Sequence, residues 1–157
     1  MTSRQQLLDA MNDMRDQIVS AVESMPLDRW NKNVYENGWN ERELLCHIAN
    51  MTGPASFALM MSKIPPRPDG GGPTFDQDAF NAGQVAMRKD KSTQELLDEV
   101  RSNVQRDIQT VEAASDEDLQ REWTAPWGVH GSVADVIVGS ITGHVGAHLN
   151  DLRDAAK

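Results

Sequence analysis

Three of the four histidines in this chain are spaced so that they could hold one metal ion. His144 and His148 stand four residues apart in a stretch with helical periodicity. Four steps of about 100° bring the second ring within about 40° of the first, one turn further along the helix, where both imidazoles can bind the same ion. His47, near the start of an earlier helix, could supply a third nitrogen. Three protein ligands leave positions open for water or substrate, which is the pattern of catalytic rather than structural sites.

The same histidines also have a simpler explanation. A histidine on an apolar helix face is commonly a hydrogen-bonded core residue, and pairs four apart occur by chance. Small residues around the pair favour the metal hypothesis, because they let a neighbouring helix or a ligand approach the imidazoles. Three of these small residues are glycines, Gly139, Gly143 and Gly146. Each glycine destabilises a helix by roughly 1 kcal/mol relative to Ala, so three of them indicate a requirement of packing or of a site. Imidazole suits Zn, Ni and Fe alike, so the metal stays unidentified.

Two residues are candidates for a catalytic role beside the metal. Glu43 lies one turn before His47 and could act as a base. It also lies three residues after Asn40, where a Glu can close a helix cap, and we favour that role. His130 stands just before the last helix and could line the mouth of the site, although an exposed loop histidine is the simpler interpretation.

Two further residues lie close to the histidines in the sequence. Asp151 could orient His148 as a hydrogen-bond acceptor, but we favour the interpretation that it is an acid solvated at the helix end. Cys46 points about 100° away from His47 around the helix. We therefore predict that Cys46 is a small core residue and not a fourth metal ligand.

The pattern of apolar residues predicts that helices position these side chains. Spacings of three and four indicate long helices over residues 3–23, 40–62, 92–111 and 132–155. Short helices are predicted over residues 75–87 and from Ser115 to near Trp123, and Pro54 should bend the second long helix. No alternating strand pattern and no repeat is found. We expect a single all-α domain over residues 1–157, a four-helix bundle with one or two additional short helices.

Three helix starts carry capping pairs, Asn40 with Glu43, Ser92 with Glu95, and Ser132 with Asp135. The connections between helices are rich in Pro, Gly and Trp. Two of them, residues 64–74 and 123–131, are expected to shape a pocket beside the metal.

Composition narrows the classes of partner. The net charge of −9 argues against sequence-independent binding to nucleic acid and against an anionic membrane surface. No apolar run approaches the length of a bilayer span, and the first residues lack the apolar core of a signal peptide. The single cysteine cannot form an internal disulfide. We therefore expect a cytoplasmic protein that acts on a small molecule, without nucleic-acid or membrane partners, and a homodimer stays open.

The chain also resembles a known family. Residues 39–48, Trp-Asn-Glu-Arg-Glu-Leu-Leu-Cys-His-Ile, resemble the Trp-to-His signature on the second helix of the DinB-like superfamily, and His144-x-x-x-His148 resembles its closing motif. The segment 75–81 followed by Ser92-x-x-Glu95 resembles the branch that contains the mycothiol-dependent maleylpyruvate isomerases. These motifs cover nearly the whole chain in order and spacing.

The resemblance implies a four-helix bundle with a divalent metal held by His47, His144 and His148. It also implies thiol S-transferase or isomerase chemistry with a low-molecular-weight thiol such as mycothiol or bacillithiol. A metal-dependent hydrolase, and a metal-binding or sensing module without turnover, are the alternatives. A helical interaction domain with merely buried histidines is a third.

Overall fold

A computed structural model describes residues 1–25, 31–36, 38–65 and 76–157. Most of the Pro/Gly-rich connection predicted to shape the pocket, from residue 66 onward, therefore lies outside the described residues. The first helix, α1, spans Arg4–Glu23 and begins with a complete capping box. The Ser3 hydroxyl accepts the Gln6 amide at 3.2 Å, while the Gln6 side chain accepts the Ser3 amide at 2.9 Å. Both exchanges satisfy amides that the helix itself leaves unpaired.

The predicted second helix is two helices. α2 spans Glu41–Met51 and α3 spans Ala55–Met61. The break falls at Pro54, which has no amide hydrogen and offers no capping side chain to α3. The buried carboxylate of Asp107 accepts the Ala55 amide at 2.8 Å instead, so a residue of another helix caps α3. Within the described residues no single helix could cross a membrane by length and hydropathy, and only α2 and α3 together, bent by 49°, meet those criteria.

The middle of the chain forms α4 over Gln77–Arg88, α5 over Thr93–Ala113 and α6 over Asp116–Gln120. A two-stranded antiparallel hairpin follows, with β1 at Glu122–Thr124 and β2 at His130–Ser132. The prediction of a short helix reaching Trp123 and then an irregular connection was wrong here. Three-residue strands are too short to show an alternating pattern, and the turn needs the positive φ of 88° that Gly128 adopts.

The last helix has three parts: α7 over Val133–Val138, a π-helical segment over Gly139–Val145, and α8 over Gly146–Ala155. Ser132 caps it as predicted, but the Asp135 carboxylate accepts the Thr2 amide and hydroxyl instead of closing the capping box. The wide turns suit the spacing of the buried residues, which recur every four positions at Val133, Ile137, Ile141, Val145 and Leu149. In an α-helix, each step of four residues would rotate this buried stripe by about 40° around the helix.

Four helical columns form the bundle. α1 packs against α5 and the last helix, and α2 also packs against α5 and the last helix. α1 and α2, although consecutive long helices, therefore occupy opposite corners, and α4 lies outside against α2. This arrangement sets α2 directly beside the helix that carries the histidine pair. The shared core includes the buried side chains of Leu7, Met11, Ile18, Leu44, Ile48, Leu96, Val100 and Leu152.

Candidate metal centre

Three histidines meet where α2 packs against the last helix. His47 comes from the middle of α2, His144 from the end of the π-helical segment and His148 from the first turn of α8. One ring nitrogen from each lies within 4.8 Å of the others, a grouping that could hold a metal ion. Among the described residues, no carboxylate and no thiol belongs to this group. The structure therefore brings together the three residues that the sequence singled out.

The nitrogen spacing fits a shared ion. The Nε2 atoms of His47 and His144 are 3.2 Å apart. Nitrogen binds zinc at about 2.0–2.1 Å, so two nitrogens in tetrahedral positions lie roughly 3.3 Å from each other. Without an ion, the same distance is a hydrogen bond in which one ring donates to the other.

Burial keeps the three imidazoles neutral at neutral pH. His47 is only 1% exposed, and its burial, together with the neighbouring His148 and His144, lowers its pKa to about 4. Burial also lowers the pKa of His144 and of His148. A neutral imidazole has a free lone pair, which is the form that binds a metal. The cluster therefore carries no positive charge that would repel a cation at neutral pH.

Tyr35 connects the cluster to an acid. Its hydroxyl donates to Asp151 Oδ2 at 2.7 Å and lies 3.0 Å from His148 Nδ1. Asp151 itself is 3.9 Å from His148 Nδ1, too far for a direct hydrogen bond. Burial and the carboxylate raise the pKa of the Tyr35 hydroxyl, so it keeps its proton. Sequence reasoning missed Tyr35, and the only available signal was that it is the single tyrosine of the chain.

Trp39 covers the buried member of the cluster. Its ring centroid lies 4.6 Å from that of His47, with the ring planes tilted by 38°. The Nδ1 atom of His47 has no hydrogen-bond partner among the described residues. An aromatic face in place of a polar partner helps to explain why desolvation dominates the pKa of His47.

Glu43 and Cys46 are engaged in contacts outside the three-histidine group. Glu43 closes the capping box of α2, where its Oε2 accepts the Asn40 amide at 3.0 Å. The Cys46 thiol is buried and donates to the Arg88 carbonyl oxygen at 3.6 Å. Burial also raises the pKa of that thiol, which favours the neutral form.

His130 lies apart from the cluster. It stands on β2, opposite Thr124, where its Nδ1 is 3.0 Å from the Thr124 hydroxyl and its side chain is 66% exposed. It does not belong to the group formed by His47, His144 and His148. The hairpin instead packs Trp123 and Trp127 with Phe57 of α3, the ring centroids lying 6.0–6.5 Å apart.

The glycines of the last helix do not serve close helix packing. A Cβ atom added to Gly139 or Gly143 would meet nothing within 4 Å, and one at Gly146 would make ordinary contact with Met14 at 3.6 Å. The idea that these glycines let a neighbouring helix approach the imidazoles is therefore wrong, and the approach of a ligand through the open space beside Gly139 and Gly143 stays a prediction. Gly139 and Gly143 instead lie within the wide turns that carry His144, and Gly146 follows directly.

Comparison with known families decides the membership of this chain. The model of the DinB superfamily matches residues 10–152. The chain belongs to the DinB superfamily. Among solved structures, this DinB protein is similar to YfiT from Bacillus subtilis, described as a probable metal-dependent hydrolase with an unusual four-helix bundle topology. The TM-score is 0.74 at 13% identity, over 99% of this chain and 88% of YfiT, which shows a shared fold. No curated protein matches this DinB sequence.

Proposed function

We propose that this protein is a metal-dependent enzyme whose divalent ion is held by His47, His144 and His148. The observation that carries the proposal is the convergence of three neutral ring nitrogens within 4.8 Å, from two helices that pack side by side. Three ligands leave coordination positions open, which a purely structural site would fill with protein groups. The Nε2 spacing of 3.2 Å between His47 and His144 matches two ligands of one ion.

A bound divalent ion would supply Lewis acidity, lowering the pKa of water to about 7 or holding a thiol as thiolate, and polarising an electrophile. The protein's own groups bind and orient. His47 supplies a nitrogen from a position that Trp39 screens from water. Tyr35 holds His148 by the ring nitrogen that faces Asp151.

For the reaction, we propose transfer of a low-molecular-weight thiol such as mycothiol or bacillithiol. Three neutral imidazoles leave the charge of a divalent ion uncompensated, so an anionic fourth ligand is favoured electrostatically. The chain's own thiol cannot be that ligand, because Cys46 is directed at the Arg88 carbonyl. No carboxylate or thiol of the described residues belongs to the ligand group, so the anionic ligand would come from outside the protein, as a thiolate does.

Hydrolysis is the second candidate. It is supported by the likeness of the fold to YfiT, described as a probable metal-dependent hydrolase. In that case water would take the open position, and a small molecule with a hydrolysable bond would be the substrate.

Cobalt substitution separates the two reactions. Adding millimolar mycothiol, bacillithiol or another physiological thiol to the Co(II) protein should produce a sulfur-to-metal charge-transfer band. The His148→Ala variant should weaken or abolish that band, because it removes one of the three ligands. An unchanged wild-type spectrum with every thiol would rule out thiol transfer and leave hydrolysis as the reaction to screen.

A further inference from the structure

We propose that Tyr35 and Asp151 act together as positioning residues that fix the tautomer of His148, so that its Nε2 lone pair faces the metal position. The inference rests on the proposed metal site and adds to it two residues outside the three ligands. Both hydrogen bonds meet at one atom, the Tyr35 hydroxyl oxygen, 2.7 Å from Asp151 Oδ2 and 3.0 Å from His148 Nδ1.

Counting protons gives the direction of each bond. A phenol has one hydrogen, and a carboxylate can only accept, so the Tyr35 hydrogen points to Asp151. The Tyr35 oxygen can then only accept from His148, which requires a hydrogen on Nδ1. A neutral imidazole carries a single ring hydrogen, so Nε2 of His148 is left with a bare lone pair.

The other two histidines have no such arrangement. Their Nε2 atoms are 3.2 Å apart, so without an ion one of them donates to the other. His47 Nδ1 has no partner among the described residues. His148 is therefore the histidine whose tautomer is set by groups outside the three-histidine cluster before the ion arrives.

The backbone around Tyr35 is built to keep the hydroxyl in place. The Val34 amide donates to the Trp39 carbonyl at 3.1 Å, and an antiparallel bridge pairs Asn33 with Asn40 just before α2 begins. Gly38 closes this turn against Tyr35, since a Cβ atom at residue 38 would lie only 2.9 Å from the Tyr35 Cβ. A side chain at that position would displace Tyr35.

The test compares variants of the 157-residue chain. Tyr35→Phe removes the hydroxyl and keeps the ring. Asp151→Ala keeps the hydroxyl but frees its hydrogen to point at His148 Nδ1. The matched control is Thr124→Val, which removes a hydroxyl 3.0 Å from Nδ1 of the exposed His130, outside the cluster.

Nitrogen-15 NMR of the histidine rings in metal-free protein reads the tautomer directly. We expect His148 to carry its hydrogen on Nδ1 in the wild type and in Thr124→Val, and to shift toward Nε2 in Tyr35→Phe and Asp151→Ala. This measurement needs no metal, so it stands even if the proposed metal function fails. Finding the hydrogen of wild-type His148 on Nε2, or no shift in the two variants, overturns the inference.

Chelator competition with Zn(II) supplies the second measurement. Loss of an acceptor behind a metal-binding histidine typically lowers metal affinity about 10- to 100-fold, and we expect that loss in Tyr35→Phe and Asp151→Ala. Thr124→Val should keep the wild-type affinity. Wild-type affinity in both variants, with circular dichroism showing an intact fold, would overturn the role of Tyr35 and Asp151 toward the metal. If the wild type binds none of Zn(II), Ni(II) and Fe(II), the proposed function is wrong, and the positioning of a metal ligand is wrong with it.

Discussion

Each histidine of the cluster is held by a different kind of contact. His47 is fully buried beneath Trp39, His148 is hydrogen-bonded through Tyr35, and His144 faces His47 Nε2 to Nε2. Desolvation lowers the pKa of all three. The three neutral imidazoles thus offer electron pairs that can bind a cation, whereas without a bound cation they offer nothing that attracts an anionic ligand.

Metal content should follow these three residues and no others. We expect one divalent ion per wild-type chain by elemental analysis, and its loss in His144→Ala because two imidazoles hold an ion less tightly than three. His130→Ala is the matched control, since His130 is exposed on the hairpin, and Cys46→Ala should also retain the ion. Equal metal content in wild type and His144→Ala would contradict the site.

At the scale of elements, α3 depends on a residue of α5. The Asp107 carboxylate accepts the Ala55 amide at the start of α3, in place of the cap that Pro54 cannot provide. Asp107 is 2% exposed. Hydrogen bonds from backbone amides lower the pKa of its carboxyl group, but the larger effect of burial raises that pKa from 3.8 to about 6. The break between α2 and α3 is therefore bridged by an acid that is costly to ionise.

The stability of the protein should reflect that cost as pH changes. Between pH 4 and pH 6, folded Asp107 holds a proton that the unfolded chain releases. The stabilisation of the folded state by this bound proton is therefore complete below pH 4 and is lost as pH rises through 6. Relative to Asp107→Asn, the wild-type free energy of unfolding should fall by up to about 3 kcal/mol over this range. Urea unfolding at several pH values measures the difference. A difference that does not vary with pH would mean that Asp107 has an ordinary pKa.

The starts of several helices could be predicted from the sequence alone. Capping residues such as Asn40, Ser92 and Ser132 act on amides within one turn, so they marked helix starts correctly. Tyr35 could not be found in this way, because its partners lie 113 and 116 residues away and only the packed bundle brings them together. The π-helical segment also escaped prediction, because single spacings of four residues are equally typical of an α-helix and only their unbroken repetition distinguishes the wider turns.

The whole molecule places one histidine of the cluster on α2 and two on the last helix, so an ion bound there would link two adjacent corners of the bundle. The DinB superfamily match over residues 10–152 and the likeness to YfiT confirm the predicted four-helix bundle. Only the packed arrangement brings the three nitrogens within 4.8 Å, and the unfolded chain has no comparable site.

Ion binding should therefore stabilise the entire fold. At a free ion concentration 100 times the dissociation constant, the expected gain is about 2.7 kcal/mol, which calorimetry would record as a higher Tm. His47→Ala should lose the gain and His130→Ala should keep it. A gain of equal size in His47→Ala would show that the ion binds elsewhere.

The wide turns of the last helix have a consequence for the timescale on which the site opens. Gly139 and Gly143 lie within them on the solvent side, with no neighbour within 4 Å of an added Cβ. Glycine gains the most conformational freedom on unfolding, so residues 139–146 should open before the rest of the helix. Their amides should exchange with deuterium faster than those of α5 in metal-free protein, and an ion bound to His144 and His148 should slow that exchange. The free energy of ion binding would then be offset in part by the ordering of residues 139–146. The measured affinity for the ion would therefore depend on the fraction of molecules in which these residues are open.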